Sequence, residues 1–144
     1  MILVDTEPLV ALFDQKDAEH DRCAKVLKSV REPLQTTMPV LTEAFYMLGP
    51  ATRESDRLRE FIEKGGLSIW FFDRPSLTRA FELMEVYADH PMDLADASLV
   101  VAAESLGTRK VFTIDRKDFE TYRVRRGHRS YPMEIMPARA ARSS

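Results

Sequence analysis

Ile2-Leu3-Val4-Asp5 and Val111-Phe112-Thr113-Ile114-Asp115 are two short apolar runs, and each stops at an aspartate. Runs this short and this apolar read as strands buried on both faces of a parallel sheet. In an open α/β sheet, ligands lie beyond the carboxyl ends of the strands. Asp5 and Asp115 would therefore meet at one edge, although they come from opposite ends of the chain. Two carboxylates brought together repel unless something cationic lies between them. A divalent metal is the obvious candidate. A strand-terminal aspartate can also be a plain turn former or cap, but two of them on separate apolar strands favour a site.

The stretch between the two runs alternates strand and helix. Residues 2–5 form the first strand, and Pro8 opens a short helix over 9–13. Asp17 can cap a longer helix with Cys23, Val26, Leu27 and Val30 at helical spacing. Residues 34–36 are a brief second strand, and Pro39 suits the first turn of a helix that runs to Leu48 and stops at Gly49-Pro50. A charged helix with Leu58, Phe61 and Ile62 inward comes next. Residues 67–72 read as a third buried strand. Asp73-Arg74-Pro75 opens a helix with Leu77, Ala80, Phe81, Met84 and Tyr87 as its apolar set. Residues 93–106 are the most apolar helix, closed by Gly107, and 111–114 the fourth strand. Residues 122–124 and Glu134–Met136 add a fifth strand and an edge piece. The pattern predicts an α/β chain with right-handed crossovers. One domain spans 1–137, and 138–144 reads as a frayed tail.

Asp93 and Asp96 lie three residues apart at the head of that apolar helix, so they share one face. Capping explains both, since each favours the helix dipole, but a helix can be capped while its next carboxylate faces a site. Glu43 sits mid-helix just after the second strand, where a plain solvated glutamate is the competing reading. Oxygen ligands with no His or Cys nearby suit Mg²⁺ or Mn²⁺ rather than zinc. Such ions bind phosphate oxygens and activate water. Acid clusters without an obvious nucleophile thus point to phosphodiester hydrolysis.

The chain has 144 residues and an apolar share of 44%, within the globular range, and its charged share of 31% is somewhat high and implies a well-solvated surface. Lys and Arg number 21 against 23 Asp and Glu, for a net charge of −2, which argues against a wholly basic nucleic-acid wrapper. The single cysteine, Cys23, excludes an internal disulfide and reads as a small buried hydrophobe. There is no basic segment followed by a long apolar core, and no apolar run of membrane-spanning length. A cytoplasmic protein without membrane contact is expected.

At these residues the chain resembles the PIN-domain ribonucleases, especially the VapC-like toxins of toxin–antitoxin modules. The matching pieces are Ile2-Leu3-Val4-Asp5-Thr6, Leu41-Thr42-Glu43-Ala44, Leu94-Ala95-Asp96-Ala97-Ser98-Leu99-Val100-Val101-Ala102-Ala103 and Thr113-Ile114-Asp115-Arg116-Lys117-Asp118-Phe119. Their order and spacing cover essentially the whole chain. The resemblance implies a PIN-like three-layer α/β/α sandwich around a central, mainly parallel four- to five-stranded sheet. It implies a metal-dependent endoribonuclease, often directed at structured RNA such as tRNA, with Mg²⁺ or Mn²⁺ as cofactor. Asp5, Glu43, Asp96 and Asp115 would be the four metal-site and catalytic acids, with Asp93 auxiliary and Asp118 more distant. Thr6 and Thr113 would position a water or orient a carboxylate. A homodimer, inhibition by a small antitoxin, and products with 5′-phosphate and 3′-hydroxyl ends are also implied. Glu7 departs from the pattern, since a small residue is more usual there; it reads as a first-turn helix acid.

An acidic pocket repels RNA unless basic groups compensate. The stretch 116–129 holds Arg116, Lys117, Arg123, Arg125, Arg126 and Arg129 against only Asp118 and Glu120. Arg116, Lys117, Arg125 and Arg126 are the candidate phosphate contacts. His20, His90 and His128 read as surface or loop residues. Tyr46, Met47 and Phe13 read either as core or as an apolar partner groove. Two competitors remain: a non-catalytic PIN-like module that binds RNA or protein, and a receiver-type phosphoacceptor domain using Asp73. The receiver reading lacks paired acids after the first strand; a haloacid-dehalogenase-type phosphatase lacks the second aspartate in Asp5-Thr6-Glu7.

Overall fold

Leu3 and Val4 expose no surface, because the strand that carries them has neighbours on both sides and helices above and below. The computed structural model describes residues 1–138, so the tail expected at 138–144 lies outside the described residues apart from Ala138. Along the chain run β1 (Ile2–Val4), α1 (Thr6–Phe13), α2 (His20–Ser29), β2 (Leu34–Thr37), α3 (Met38–Leu48), α4 (Arg53–Glu63), β3 (Ser68–Trp70), α5 (Arg74–Val86), α6 (Leu94–Leu106), β4 (Lys110–Phe112), α7 (Arg116–Thr121), β5 (Arg123–Arg126), β6 (Arg129–Pro132) and β7 (Glu134–Met136).

Five strands form one sheet in the order β3-β2-β1-β4-β7, and every neighbouring pair is parallel. The chain winds outward from β1 to β3, then crosses back to β4 on the other side of β1. The strand order therefore reverses between β1 and β4, and a crevice opens at their carboxyl ends, where such sheets bind ligands. Asp5 directly succeeds β1 and Asp115 lies three residues beyond β4, so both acids stand at that switch point.

Helix α6 is the largest buried element. Asp93 caps it by accepting from the Asp96 N–H at 2.8 Å, and Gly107 ends it in the left-handed region at φ 71°. Between them Ala97, Leu99, Val100, Ala102 and Ala103 expose no surface; small side chains let the helix lie close against β1 and β2. Burying a Leu, Val or Phe side chain such as Leu99, Val111 or Phe112 contributes roughly 1.5–3 kcal/mol. Helix α3 starts at the Thr37 cap with Pro39 in its first turn and ends at Gly49.

Several elements differ from expectation. Helix α2 begins at His20 rather than at Asp17, because the Asp17 carboxylate accepts from the Glu19 N–H at 2.8 Å and closes a local turn first. Strand β3 is shorter than 67–72 and only partly buried, being the sheet edge with Ser68 exposed. On α5 Ala80 and Leu83 are buried and Met84 and Tyr87 pack against the core as expected, while Phe81 faces outward. The strand expected at 122–124 does not join the main sheet. It is β5, paired antiparallel with β6 through a turn at Gly127 (φ 59°), and this hairpin packs on α6.

Candidate metal and active site

Asp5 leaves the end of β1 with its side chain already bound twice. Oδ1 accepts from the Thr6 N–H at 2.8 Å and Oδ2 from the Thr113 hydroxyl at 2.8 Å. Thr113 Oγ1 in turn accepts the Asp115 N–H at 3.1 Å, so one buried threonine ties the two strand-terminal acids together. Glu43 reaches in from α3, its Oε2 accepting from the Thr6 hydroxyl at 3.0 Å. Asp96 projects from the first turn of α6, its Oδ2 accepting from the Tyr122 hydroxyl at 2.8 Å. Asp118, in the first turn of α7, bonds His90 Nε2 at 2.6 Å. These five acids, with Thr6, Glu7, Met47 and Asp93, line one cleft of about 200 Å³.

Among the described residues, seven carboxylates line that cleft and no Lys, Arg or His does. Asp5 is pushed up from 3.8 to about 6, chiefly by burial and against the pull of its bonds to Thr6 and Thr113. Asp96 is pushed up from 3.8 to about 7, again chiefly by burial, with Asp93, Asp5 and Asp118 adding to it and Tyr122 opposing. The Asp115 and Asp118 carboxyls interact, which raises Asp115 above the ordinary carboxylate range and lowers Asp118 below it. A cleft this crowded with negative charge favours a cation.

The donor chemistry fits a hard one. All the donors are oxygens, and Mg²⁺ takes one or two carboxylates while keeping several waters. Among the described residues no three acid, His or Cys side chains already converge on one point as a dry cage would require. The cleft suits a hydrated Mg²⁺ or Mn²⁺ and not a structural zinc.

The structure brings Asp5, Glu43, Asp93, Asp96 and Asp115 to the same cleft. Glu7 is the first-turn acid of α1, as expected, and lines the cleft as well, and Asp118, read as distant, also lines it. Asp118 lies at the i, i+3 spacing from Asp115 that shares a helix face, and that spacing was visible in the sequence. Tyr122 and His90 were missed as site neighbours. His90, read as a loop residue, is bound to Asp118 across 28 positions, and no local pattern carries such a pairing.

The basic residues spread out instead of ringing the cleft. Arg116 turns inward: Nη1 donates to the Pro137 carbonyl, and Nε lies 3.7 Å from Glu120. Lys117 is exposed. Arg125 donates its backbone N–H to Glu104 at 2.8 Å, and Arg126 donates to the Gly107 carbonyl. Both therefore sit beside the C-terminal half of α6, about 12 Å or more along the axis from Asp96.

A larger groove of about 770 Å³ runs between α3 and α4, lined by Phe45, Tyr46, Gly49 and Pro50 among others, but it holds no acid cluster. Tyr46 and Met47 are 86% and 56% exposed, so they are surface and not core. Asp73 caps α5, accepting from the Ser76 N–H at 2.9 Å, and does not line the acid cleft. That placement removes the basis for a receiver-type reading.

The family model described as PIN domain matches residues 2–124. Ribonuclease VapC26 of Mycobacterium tuberculosis is 29% identical over 127 residues, covering 85% of this chain and 92% of the relative. Among solved structures, the chain is similar to M. tuberculosis VapC20, described as a Sarcin-Ricin loop cleaving toxin. The TM-score is 0.74 at 18% identity, with 82% of this chain and 92% of that one covered. A toxin–antitoxin complex from Klebsiella pneumoniae matches with a TM-score of 0.66 at 19% identity, covering 84% and 92%. These two structural likenesses bear on the fold.

Proposed function

This chain belongs to the PIN-domain family, and we propose that it is a metal-dependent endoribonuclease, the toxin of a toxin–antitoxin pair. The observation that carries the reading is the seven-carboxylate cleft at the β1/β4 switch point, which has no basic residue in its lining among the described residues. The similarity to a ribonuclease along most of both chains supports it. Asp5, Glu43, Asp96 and Asp115 would hold Mg²⁺ or Mn²⁺, with Asp93 auxiliary. When bound, such an ion lowers the pKa of a water and neutralises charge on the leaving oxygen. Thr113 keeps Asp5 turned toward its partner strand, and Thr6 does the same for Glu43. Asp5 or Asp96 would assist deprotonation of the attacking water. In-line hydrolysis would leave 5′-phosphate and 3′-hydroxyl ends.

Cleavage of total RNA by the purified chain, with Mg²⁺ or Mn²⁺ and with excess EDTA, tests the reading. Cutting that stops with EDTA is expected. Cutting that survives EDTA argues against metal dependence, and no cutting with either ion argues for a module that binds without hydrolysis.

Structured RNA such as tRNA is the proposed substrate class. Lys117, Arg125 and Arg126, all exposed, are the proposed phosphate contacts, whereas Arg116 is half-buried against the Pro137 carbonyl and Glu120. On an Asp5→Asn background that blocks turnover, Arg125→Glu with Arg126→Glu should weaken RNA binding. The slope of log K against log salt should become shallower by about 1.4, the share of two single-strand phosphate contacts. Unchanged affinity and slope, measured by fluorescence anisotropy, would take the hairpin out of the RNA path. A cognate antitoxin and a homodimer complete the proposal. The exposed Tyr46 and Met47 give apolar surface for one of them. Among the described residues no helix is long and apolar enough to cross a membrane.

A further inference from the structure

Tyr122 exposes no surface, yet its hydroxyl is bonded to an acid of the cleft, Asp96, at 2.8 Å. Its ring is fixed edge-on by Tyr87 at 5.2 Å, Phe119 at 5.3 Å and the imidazole of His90 at 6.0 Å. His90, from the segment between α5 and α6, places Nε2 2.6 Å from Asp118. Neither Tyr122 nor His90 lines the cleft. Both touch its acids from behind, out of one aromatic cluster.

An aspartate carboxylate turns easily about its last torsion, which has broad, two-fold wells. A single donor on one oxygen stops that rotation and leaves the other oxygen with a fixed direction. Tyr122 takes Oδ2 of Asp96 and leaves Oδ1; His90 takes Oδ1 of Asp118, whose carboxyl also meets that of Asp115. A buried tyrosine hydroxyl needs some acceptor, and a backbone carbonyl would satisfy it without involving the site. Partners one layer behind metal-binding carboxylates typically set affinity and rate by 10- to 100-fold.

We propose that Tyr122 and His90 are positioning residues that hold Asp96 and Asp118 from behind, so that the remaining carboxylate oxygens are preset for a divalent cation. The inference rests on the nuclease reading of the same cleft. Tyr122→Phe removes one oxygen and keeps the ring contacts. His90→Ala removes the donor to Asp118, and His90→Gln restores an N–H donor of similar reach.

The test measures Mn²⁺ affinity from the electron paramagnetic resonance signal of the free ion, together with kcat and KM on a cleaved RNA. It is done where circular dichroism shows each variant folded. Tyr122→Phe should weaken Mn²⁺ binding about 10-fold and lower kcat about 10-fold, with KM for RNA within about twofold of wild type. His90→Ala should weaken Mn²⁺ binding several-fold, and His90→Gln should recover most of that loss. If Tyr122→Phe does not fold, the His90 pair decides on the same readouts. Mn²⁺ affinity and kcat within twofold of wild type in Tyr122→Phe and His90→Ala overturn the positioning role while leaving the nuclease reading intact. So does a change confined to KM. A wild-type chain that neither binds Mn²⁺ nor cuts RNA overturns the nuclease reading, and the positioning role with it.

Discussion

Asp5→Asn is expected to lower RNA cleavage by about 10²–10³-fold while leaving the fold intact and making the metal-free chain more stable near pH 8. The substitution keeps the volume of a side chain that is only 8% exposed. The Asn carbonyl can accept the Thr6 N–H, and the Thr113 hydroxyl, which already accepts from the Asp115 N–H, can turn to receive the new amide. A buried negative charge disappears. Raising a carboxyl from 3.8 to about 6 by burial costs about 3 kcal/mol when it is ionised. Removing that cost stabilises the chain, and removing the charge takes a ligand and a proton acceptor from the cleft. Opposite changes in stability and activity mark a residue kept for function at the expense of the fold. Asp96→Asn should behave in the same direction. RNA cleavage and thermal melting on the same preparations check both, and retained cleavage in the two variants would remove these acids from the mechanism.

The second large effect is a stability that falls with pH and is restored by metal. The folded values of Asp5, about 6, and Asp96, about 7, lie above the ordinary 3.8. Between the ordinary and raised values, the folded chain holds protons that the unfolded chain has released. Stability therefore declines as pH rises. The contribution of these two groups is whole below about pH 4 and gone above about pH 7. On the proposed reading Mg²⁺ or Mn²⁺ would bind the folded cleft alone, and at 100 times its Kd would add about 2.7 kcal/mol. For a chain of this size, that lifts Tm by about 5–10 °C at pH 8. At pH 5 the lift should be much smaller, since protons occupy the same oxygens. Melting curves at the two pH values, with metal and with EDTA, measure it. A lift of equal size in Asp5→Asn would place the metal elsewhere.

The site acids were legible for a topological reason. Ile2-Leu3-Val4 and Val111-Phe112 are short, apolar and each followed closely by an aspartate, which reads as central parallel strands, and such strands bring the residues just past their carboxyl ends to a common edge. Asp96 was legible because it heads a helix that is otherwise buried. The β5–β6 hairpin was not, because its alternation is too thin: Val124 is its only buried residue, and three arginines surround it. Those arginines suggested a basic rim, and the turn at Gly127 was the overlooked signal. Tyr122 was placed at a strand start, but the direction of its hydroxyl depends on how the hairpin lies on α6. The edge position of β3 likewise depends on strand order, which no local pattern encodes.

The nuclease reading rests on acids from β1, α3, α6 and β4 gathering around one hard cation. The most direct measurement is an anomalous difference map from a crystal of this chain grown with Mn²⁺. A peak in the cleft among Asp5, Asp96 and Asp115, lost in Asp5→Asn, is the predicted result. A map with no peak there, at Mn²⁺ concentrations that support cleavage, would contradict it.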